Sequence, residues 1–571
     1  MSVLDQLEDA AISASFKVMP EWASQIVVWR KANCARMHRP RPWSMAARYP
    51  SWPGQFDPTW IGLHCAPAPI ENPPPIEKVA DLFRRRLDAT GREVMLPCPQ
   101  GTTALFMFVA QWFTDSFMRT QSGPENLGRT DSNHEVDLCQ VYGLKASETD
   151  MLRERDETGA FTHRMAMEER NGEMWPPLLC ERNAQGHIVL RERFRGREAK
   201  VVRDPDGKLV EKVSAIPPLH DLDKLKVSIN RSMDHLSQAE REARLLSYHA
   251  TGLDNGNGTL GYAAVNTLFL RAHNHIADLL WEAKKDLDDW DQERVFQTTR
   301  CILIAILIKV VIEDYIAHIA DLPLKLVTGQ NTTAAWDKPN RITLEFNLLY
   351  RWHSMIPETL DMEGAQLDAT DFRSNPGYAE EMGLGRMIAA LSRQRVGRVG
   401  LHNVAAFMLD RPRIPTEDGG EREIPSPVEA SLQLARDAGL PSFNTYRDQF
   451  KMDRHGTFDE LVGEQPKADE LAAELFDLYG TVDRVEFFPG LFAEGHRGDT
   501  IMGQLMRDMV AYDAFTQLLT NPLMSENLFN AETFSDLGFE LIGKVSTLAD
   551  VATLLMPELS PDDCRLGRRG E

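Results

Sequence analysis

Apolar residues recur along most of the chain at the three- and four-residue spacing of an amphipathic α-helix. This periodicity covers residues 76–89, 102–119, 261–286, 292–321 and 341–355. Between residues 160 and 215 the pattern changes to short β-prone pieces, such as HIVL and KVVRD, separated by Gly, Asn and Asp. The sequence therefore predicts a mainly α fold with a few short β hairpins.

Two further segments refine this pattern. CILIAILIKVVI, residues 301–312, is the most apolar run, but it is too short to span a bilayer and contains Lys309, so it predicts a buried core helix. The glycine-rich GLDNGNGTLG, residues 252–261, lacks the GxxxxGK[ST] spacing of a phosphate-binding loop. It predicts a tight loop before a helix.

Composition divides the chain into three parts: an N-terminal helical and Pro/Trp-rich segment (1–75), a catalytic domain (76–555) and a C-terminal tail (556–571). The last residues of this tail, SPDDCRLGRRGE (560–571), are expected to fray. HRPRPWSMAARYPSWPGQ, residues 38–55, cannot sustain a regular helix and is expected to wrap the surface. Residues 21–37 combine apolar and basic side chains, which fits either a helix packed on the catalytic domain or an interfacial helix in peripheral contact with a membrane.

Charge and cysteine usage exclude several classes of function. The formal net charge of -22 argues against binding to nucleic acid and against electrostatic recruitment to anionic lipid. Seven cysteines without CxxC spacing indicate reduced thiols, and the acidic start MSVLDQLEDAAISASF does not resemble a signal peptide. We expect a cytoplasmic protein that acts on a small molecule.

The segment EFNLLYRWH, from Glu345 to His353, carries candidate redox chemistry. If this segment is one helix, Tyr350 lies one turn before His353 on neighbouring positions of the same face, and Pro357 ends the helix. Taken alone, a tyrosine and a histidine on an apolar helix are typical core residues. If His353 binds a haem iron, however, the Tyr350 phenol lies beside the porphyrin, within electron-transfer reach.

This segment and its surroundings, residues 291–357, closely resemble the cyclooxygenases, or prostaglandin H synthases, of the haem peroxidase and dioxygenase superfamily. The matching blocks keep the family's order over most of the chain, and they are CPQGTTALFMFVAQWFTDSF (98–117), HEVDLCQVYG (134–143), GEMWPP (172–177), FLRAHNHIADLL (269–280), PSFNTYRDQF (441–450) and ELFDLYGTVDRVEFFPGLFAE (474–494). The resemblance implies the animal haem peroxidase fold and a possible homodimer. It further implies that His353 is the proximal haem ligand and that Tyr350 forms the radical that abstracts hydrogen from a fatty acid.

On the opposite side of the haem the family places a glutamine and, four residues later, a histidine that shuttles protons during peroxide cleavage. The matching residues here are Gln111 and Asp115. Because a carboxylate replaces the imidazole, we expect weak or absent peroxidase activity unless burial raises the pKa of Asp115. Thr114 and Ser116 stand where wider relatives carry an ester carboxylate and a calcium ligand, so the resemblance implies non-covalent haem b and no calcium.

The substrate channel of the family can also be followed residue by residue. Phe346, Leu349 and Trp352 flank Tyr350 as their counterparts do, while Met502, Arg507 and Ala514 match the channel helix, and Ala514 replaces the acetylatable serine. The channel-mouth tyrosine matches Leu322, so the usual carboxylate clamp is not preserved. Arg507 either holds a substrate carboxylate bidentately or pairs with an acid such as Asp508 or Asp513.

These features predict a bacterial-type, haem-dependent dioxygenase that inserts O2 into a fatty acid or another hydrophobic substrate, with Tyr350 as the radical. One alternative is a peroxidase or peroxygenase that uses Asp115 as its acid–base group. Another is a haem-binding protein without turnover.

Overall fold

The described part of the chain is a helical body that carries small antiparallel hairpins, as seen in a computed structural model. It comprises residues 10–35, 43–44, 57–121, 126, 128–203, 209–233, 235–328, 341–415 and 420–568. The helices are α1 (Pro20–Ala32), α2 (Ile76–Asp81), α3 (Ala104–Asp115), α4 (Cys139–Tyr142), α5 (Ala146–Leu152), α6 (Leu222–Ser232), α7 (Gln238–Leu246), α8 (Leu260–Lys284), α9 (Gln292–Val310), α10 (Ala317–Ala320), α11 (Leu344–Leu349), α12 (Ala369–Phe372), α13 (Pro376–Met382), α14 (Leu384–Ser392), α15 (Pro427–Asp437), α16 (Phe443–Gln449), α17 (Phe458–Val462), α18 (Ala468–Tyr479), α19 (Phe487–Ala493), α20 (Gln504–Leu518), α21 (Ala531–Lys544) and α22 (Leu548–Leu555). The predicted mainly α fold is confirmed.

The strands pair in seven two-stranded antiparallel sheets within the described residues. They are β1 (Trp43–Ser44), β2 (Gly62–Leu63), β3 (Arg153–Arg155), β4 (Phe161–Met165), β5 (Glu168–Arg170), β6 (Glu173–Trp175), β7 (Cys180–Arg182), β8 (Ile188–Leu190), β9 (Arg197–Arg203), β10 (Leu209–Ala215), β11 (Thr359–Met362), β12 (Ala365–Asp368), β13 (Arg413–Pro415) and β14 (Glu421–Glu423). The hairpins predicted between residues 160 and 215 are confirmed, because β5 to β10 pair there in sequence order.

Helix α8 lies at the centre of the core. It packs against α9, α3, α14 and α22, and most of its side chains are buried. Its start is set locally, because the Thr259 side chain accepts a hydrogen bond from the Tyr262 N–H, as an N-cap does. A tight turn at Asp254–Asn257 precedes it, so the loop predicted in the glycine-rich segment is confirmed.

The apolar run at residues 301–312 belongs to one longer helical stretch, Gln292–Ala320, in which a π-helical segment, Val311–Ile316, joins α9 to α10. This stretch is long and apolar enough to cross a membrane, but most of it is buried inside the protein. The Lys309 ammonium donates hydrogen bonds to the carbonyl oxygens of Ile542 (2.7 Å) and Gly543 (2.8 Å) at the end of α21. The predicted core helix is confirmed, and its lysine is satisfied by a helix C-terminus.

The helix predicted at 76–89 is wrong beyond Asp81, where α2 ends. The following residues instead exchange backbone hydrogen bonds with a distant segment: Val404 N–H donates to Phe83 (2.8 Å), and Arg85 N–H donates to Val404 (3.0 Å). Tertiary pairing therefore overrides the local helical pattern.

The prediction of a frayed C-terminal tail is wrong as far as Arg568. Cys564 and Leu566 are buried, and the Thr103 N–H donates to the Leu566 carbonyl at 3.0 Å. Arg568 N–H likewise donates to the Gly101 carbonyl at 2.8 Å, which ties the tail to the start of α3.

At the N-terminus, α1 packs on α20 through a buried face that includes Ala23, Val27 and Val28. This contact agrees with a helix packed on the catalytic domain. The opposite face exposes Trp22 and Trp29, so peripheral membrane contact stays a prediction. Apart from β1, the Pro/Trp-rich stretch at 38–55 lies outside the described residues, and the domain boundaries stay predictions.

Candidate active site

The YRWH segment is not one helix, and that prediction is wrong. Helix α11 ends at Leu349, and a 3-10 turn, His353–Met355, begins after a break. The rings of Tyr350 and Trp352 lie 4.7 Å apart between centroids, although residues two apart on a helix do not face each other. The two rings can therefore pack together because the chain leaves the helix after Leu349.

The His353 imidazole is largely enclosed, and its ring nitrogens bond to no described residue. Burial lowers its pKa to about 3, and the charge of Arg351 contributes to the same shift. A neutral imidazole keeps a lone pair for a metal ion. Within the described ranges no group of three or more His, Cys, Asp or Glu side chains is arranged around a metal. An iron at His353 would therefore take its other ligands from a cofactor such as a porphyrin. A neutral histidine that serves as a single protein ligand fits haem.

Aromatic rings surround Tyr350. Phe346 lies 4.7 Å from it between ring centroids, and Trp352 lies at the same distance on another side. Burial raises the pKa of the Tyr350 phenol well above its usual range, and the carboxylate of Asp513 adds to this shift. Tyr315, on the π-helical segment, interacts with Tyr350, and its own pKa is raised by burial and by that interaction. Tyr350 is therefore a protonated phenol at neutral pH in an apolar enclosure.

Both distal candidates lie on α3, but in different surroundings. The Gln111 side chain is exposed, and its Oε1 accepts a hydrogen bond from Thr259 Oγ1 at 2.8 Å. Asp115 is buried, so it is not a helix-surface carboxylate; one of its oxygens accepts from Asn255 Nδ2 and the other from the Tyr262 hydroxyl, both at 2.9 Å. Burial raises the pKa of Asp115, while Arg119, 3.8 Å away, opposes that shift.

The residues that flank Asp115 offer no carboxylate on this helix. The hydroxyl of Thr114 donates to the Ala110 carbonyl at 2.7 Å, and that of Ser116 donates to the Phe113 carbonyl at 2.8 Å. Both hydroxyls are thus engaged with their own helix.

A cavity of about 550 Å³ opens between α1, α10 and α20. Arg507 lines it together with apolar side chains, such as Leu322 and Phe515, and with charged ones, such as Lys451 and Asp453. The other predicted channel residues lie deeper and are buried, namely Phe346, Leu349, Trp352, Met502 and Ala514. Neither these residues nor Tyr350 line the cavity, so the structure groups Phe346 and Trp352 with Tyr350 and separates Arg507 from them.

The acids nearest to Arg507 in sequence have other partners. Asp508 lies 2.5 Å from the Lys31 ammonium, and Asp513 lies 3.2 Å from the His64 imidazole. Among the residues that the structure describes, no carboxylate comes within ion-pair distance of the Arg507 guanidinium. The structural pairing considered from the sequence is not found there.

Several site residues were missed by sequence reasoning. Tyr262 and Asn255 hold Asp115, and Lys31 lines the cavity, yet each comes from a segment remote from its partner. Arg351 was also missed, although its place inside the YRWH motif could have marked it as a site residue.

Comparison with known proteins identifies relatives of this chain. Residues 206–561 match the family described as animal haem peroxidase. Prostaglandin G/H synthase 2 of Bos taurus is 29% identical over 535 residues, covering 91% of this chain and 75% of its own length. Prostaglandin G/H synthase 1 of Mus musculus is 31% identical over 463 residues, or 80% of this chain, and the chain spans 63% of the length of that relative.

Solved structures confirm the fold. The crystal structure of the Oryza sativa fatty acid alpha-dioxygenase superposes with a TM-score of 0.64 at 14% identity, covering 100% of this chain and 98% of that one. A crystal structure of the same Oryza sativa enzyme with palmitic acid gives a TM-score of 0.65 at 14% identity, with the same coverage of both chains. Peroxidase A of Dictyostelium discoideum gives 0.62 at 15% identity, covering 88% of this chain and 95% of that chain.

Proposed function

The chain belongs to the animal haem peroxidase family, and we propose that it is a haem-dependent dioxygenase that inserts O2 into a fatty acid or a similar hydrophobic substrate. The observation that carries the proposal is the placement of Tyr350. It is a buried phenol packed against Phe346 and Trp352, three residues before a neutral histidine that bonds to no described residue. Similarity to prostaglandin G/H synthases and to fatty acid alpha-dioxygenases agrees with an oxidoreductase.

In this proposal His353 holds the iron of haem b. When bound, the haem supplies the one-electron oxidising power that converts a phenol into a phenoxyl radical. Thr114 and Ser116 provide no carboxylate for an ester bond from α3, which supports non-covalent attachment, and calcium is not expected on this helix.

Tyr350 then performs the substrate chemistry. Its phenoxyl oxygen takes a hydrogen atom from a substrate C–H bond, which leaves a phenol and a carbon radical. The carbon radical combines with O2 to give a peroxyl radical, which takes the hydrogen atom back from Tyr350 as the hydroperoxide forms. Phe346 and Trp352 keep this exchange away from water, because they pack against the phenol ring on two sides.

Arg507 is our candidate for binding the acid group of the substrate. Its guanidinium lines a cavity of mixed charged and apolar side chains, and no described carboxylate lies within ion-pair distance of it. Ala514 follows seven residues later on α20, which places it about 10 Å further along the helix. An amphiphile with a carboxylate at Arg507 and an apolar chain directed inward suits this arrangement.

The test is O2 uptake by the haem-loaded protein, primed with trace peroxide, across saturated and unsaturated fatty acids. We expect uptake by the wild type, none by Tyr350→Phe, and wild-type uptake by Tyr378→Phe as the matched control outside the site. Absence of uptake with every lipid would remove the fatty-acid assignment.

A peroxidase that uses Asp115 is the second candidate, favoured only by the raised pKa of that carboxyl. Because both of its oxygens already accept hydrogen bonds, we expect slow peroxide turnover. Rapid oxidation of phenols by peroxide in Tyr350→Phe would select it. Stoichiometric haem without O2 uptake or peroxide consumption would select a non-catalytic haem protein.

We also propose a cytoplasmic location with peripheral membrane contact through α1. Its exposed Trp22 and Trp29 share the helix with Arg30, a combination typical of interfacial helices. Sedimentation with lipid vesicles tests it, and a Trp22→Ser, Trp29→Ser variant that sediments as well as the wild type would contradict it.

A further inference from the structure

Arg351 is a half-buried cation without an acidic partner among the described residues. Its Nε and one terminal nitrogen donate to a single acceptor, Asn347 Oδ1, at 3.2 and 2.7 Å. Across the described ranges, no carboxylate lies within ion-pair distance of it. A partly buried guanidinium with unused N–H donors is stabilised when an anion binds to it.

The guanidinium is also held in place. Asn347 Nδ2 donates to Thr120 Oγ1 at 2.9 Å, which turns the amide oxygen toward Arg351. Arg351 uses two of its five N–H donors on that oxygen, so three remain for another ligand. The arginine is thus oriented before any ligand arrives.

The position of Arg351 indicates which anion would bind to it. Arg351 stands two residues before His353, in the short break between α11 and the 3-10 turn that carries the histidine. An anion that reaches this guanidinium therefore lies beside the group that would bind the haem iron. Haem b carries two propionate carboxylates, which suit the planar fork of a guanidinium.

We propose that Arg351 binds a propionate carboxylate of haem b and that Asn347 is the positioning residue that fixes the guanidinium. This inference rests on the haem binding in the proposed function, but not on the dioxygenase reaction. The other source of a carboxylate at this point is an acidic substrate, and the experiment separates the two.

The experiment titrates the haem-free protein with haem b and with haem b dimethyl ester, whose propionates are capped, and follows the Soret band. The wild type is expected to bind haem b about tenfold or more tightly than the ester, as a charge-assisted hydrogen bond gives. Arg351→Gln is expected to bind the two compounds equally, with the affinity for the ester unchanged. Arg341→Gln, which removes a half-buried guanidinium elsewhere, should keep the wild-type ratio.

Arg351→Lys retains the charge and should retain part of the preference, which covers the case in which Arg351→Gln does not fold. A wild-type ratio in both Arg351 variants would overturn the inference, while haem binding by the wild type would still support the proposed function. The same ratio together with weaker fatty-acid binding to the holoprotein would assign the carboxylate to the substrate instead. If the wild type binds neither haem compound, the proposed function itself fails.

Discussion

Replacing Arg507 by leucine tests how the substrate is held. The change keeps an aliphatic side chain on α20 and removes the one guanidinium in the cavity wall that we assign to the substrate carboxylate. Since no described acid pairs with Arg507, the substitution leaves no described carboxylate without its partner. The loss should therefore fall on substrate binding rather than on stability.

The magnitude follows from burial. A hydrogen bond to a charged group is worth about 1.5–3 kcal/mol. Arg507 is half-buried, so solvent screening reduces this gain toward its lower end. We expect KM for a fatty acid to rise about tenfold, which corresponds to ~1.4 kcal/mol, with kcat nearly unchanged.

The assay is O2 uptake with a fatty acid and with its methyl ester, in the wild type and in Arg507→Leu. The ester should already show a raised KM with the wild type, and the mutation should raise that value little further. Arg497→Leu, at another point of the same cavity wall, is the matched control and should leave the preference for the acid intact. The reasoning is refuted if Arg507→Leu keeps the wild-type preference for the acid over the ester.

Three further outcomes are expected. Burial raises the pKa of Asp314 from 3.8 to about 6, so the stability that this group contributes is present below pH 4 and lost as pH rises through 6. Asp314→Asn should therefore raise Tm at pH 8 and not at pH 4, by an amount equivalent to at most about 3 kcal/mol. Equal effects at the two pH values would contradict this. Gly261→Ala places a Cβ 2.2 Å from the Phe108 ring and should cost about 1–3 kcal/mol in chemical denaturation, whereas wild-type stability would show that the ring moves aside without strain. Asp115→Asn should leave O2 uptake within about twofold, because general acid–base catalysis, normally worth 10²–10⁴-fold, is not assigned to it; loss of uptake would return Asp115 to the mechanism.

Local signals were enough to predict most of the helical fold. The starts of α3, α8 and α9 carry Thr103, Thr259 and Asp291, whose side chains each accept a hydrogen bond from a backbone N–H of the first turn. Such caps, followed by apolar periodicity, are visible in the sequence. The positions of Tyr350 and His353 were equally accessible, because both stand in one short motif.

The geometry around those two residues was not accessible. The break after α11 brings the rings of Tyr350 and Trp352 into contact, and a helical pattern gives no sign of it. One hydrogen bond to Asp115 comes from Tyr262, which lies 147 positions away in the chain. Contacts of this range depend on the completed fold, so spacing within one segment cannot predict them.

The surroundings of Asp115 and of Tyr350 suit different reactions. On α3, both oxygens of Asp115 accept hydrogen bonds, from Asn255 and from Tyr262, so neither is open for proton transfer to a peroxide. Around Tyr350, by contrast, burial and the carboxylate of Asp513 both raise the pKa of the phenol. In the proposed cycle the peroxyl radical regenerates the Tyr350 radical at each turnover, so peroxide is needed only to start the reaction. A chain with slow peroxide chemistry can therefore sustain oxygenation, provided that its tyrosine stays protected.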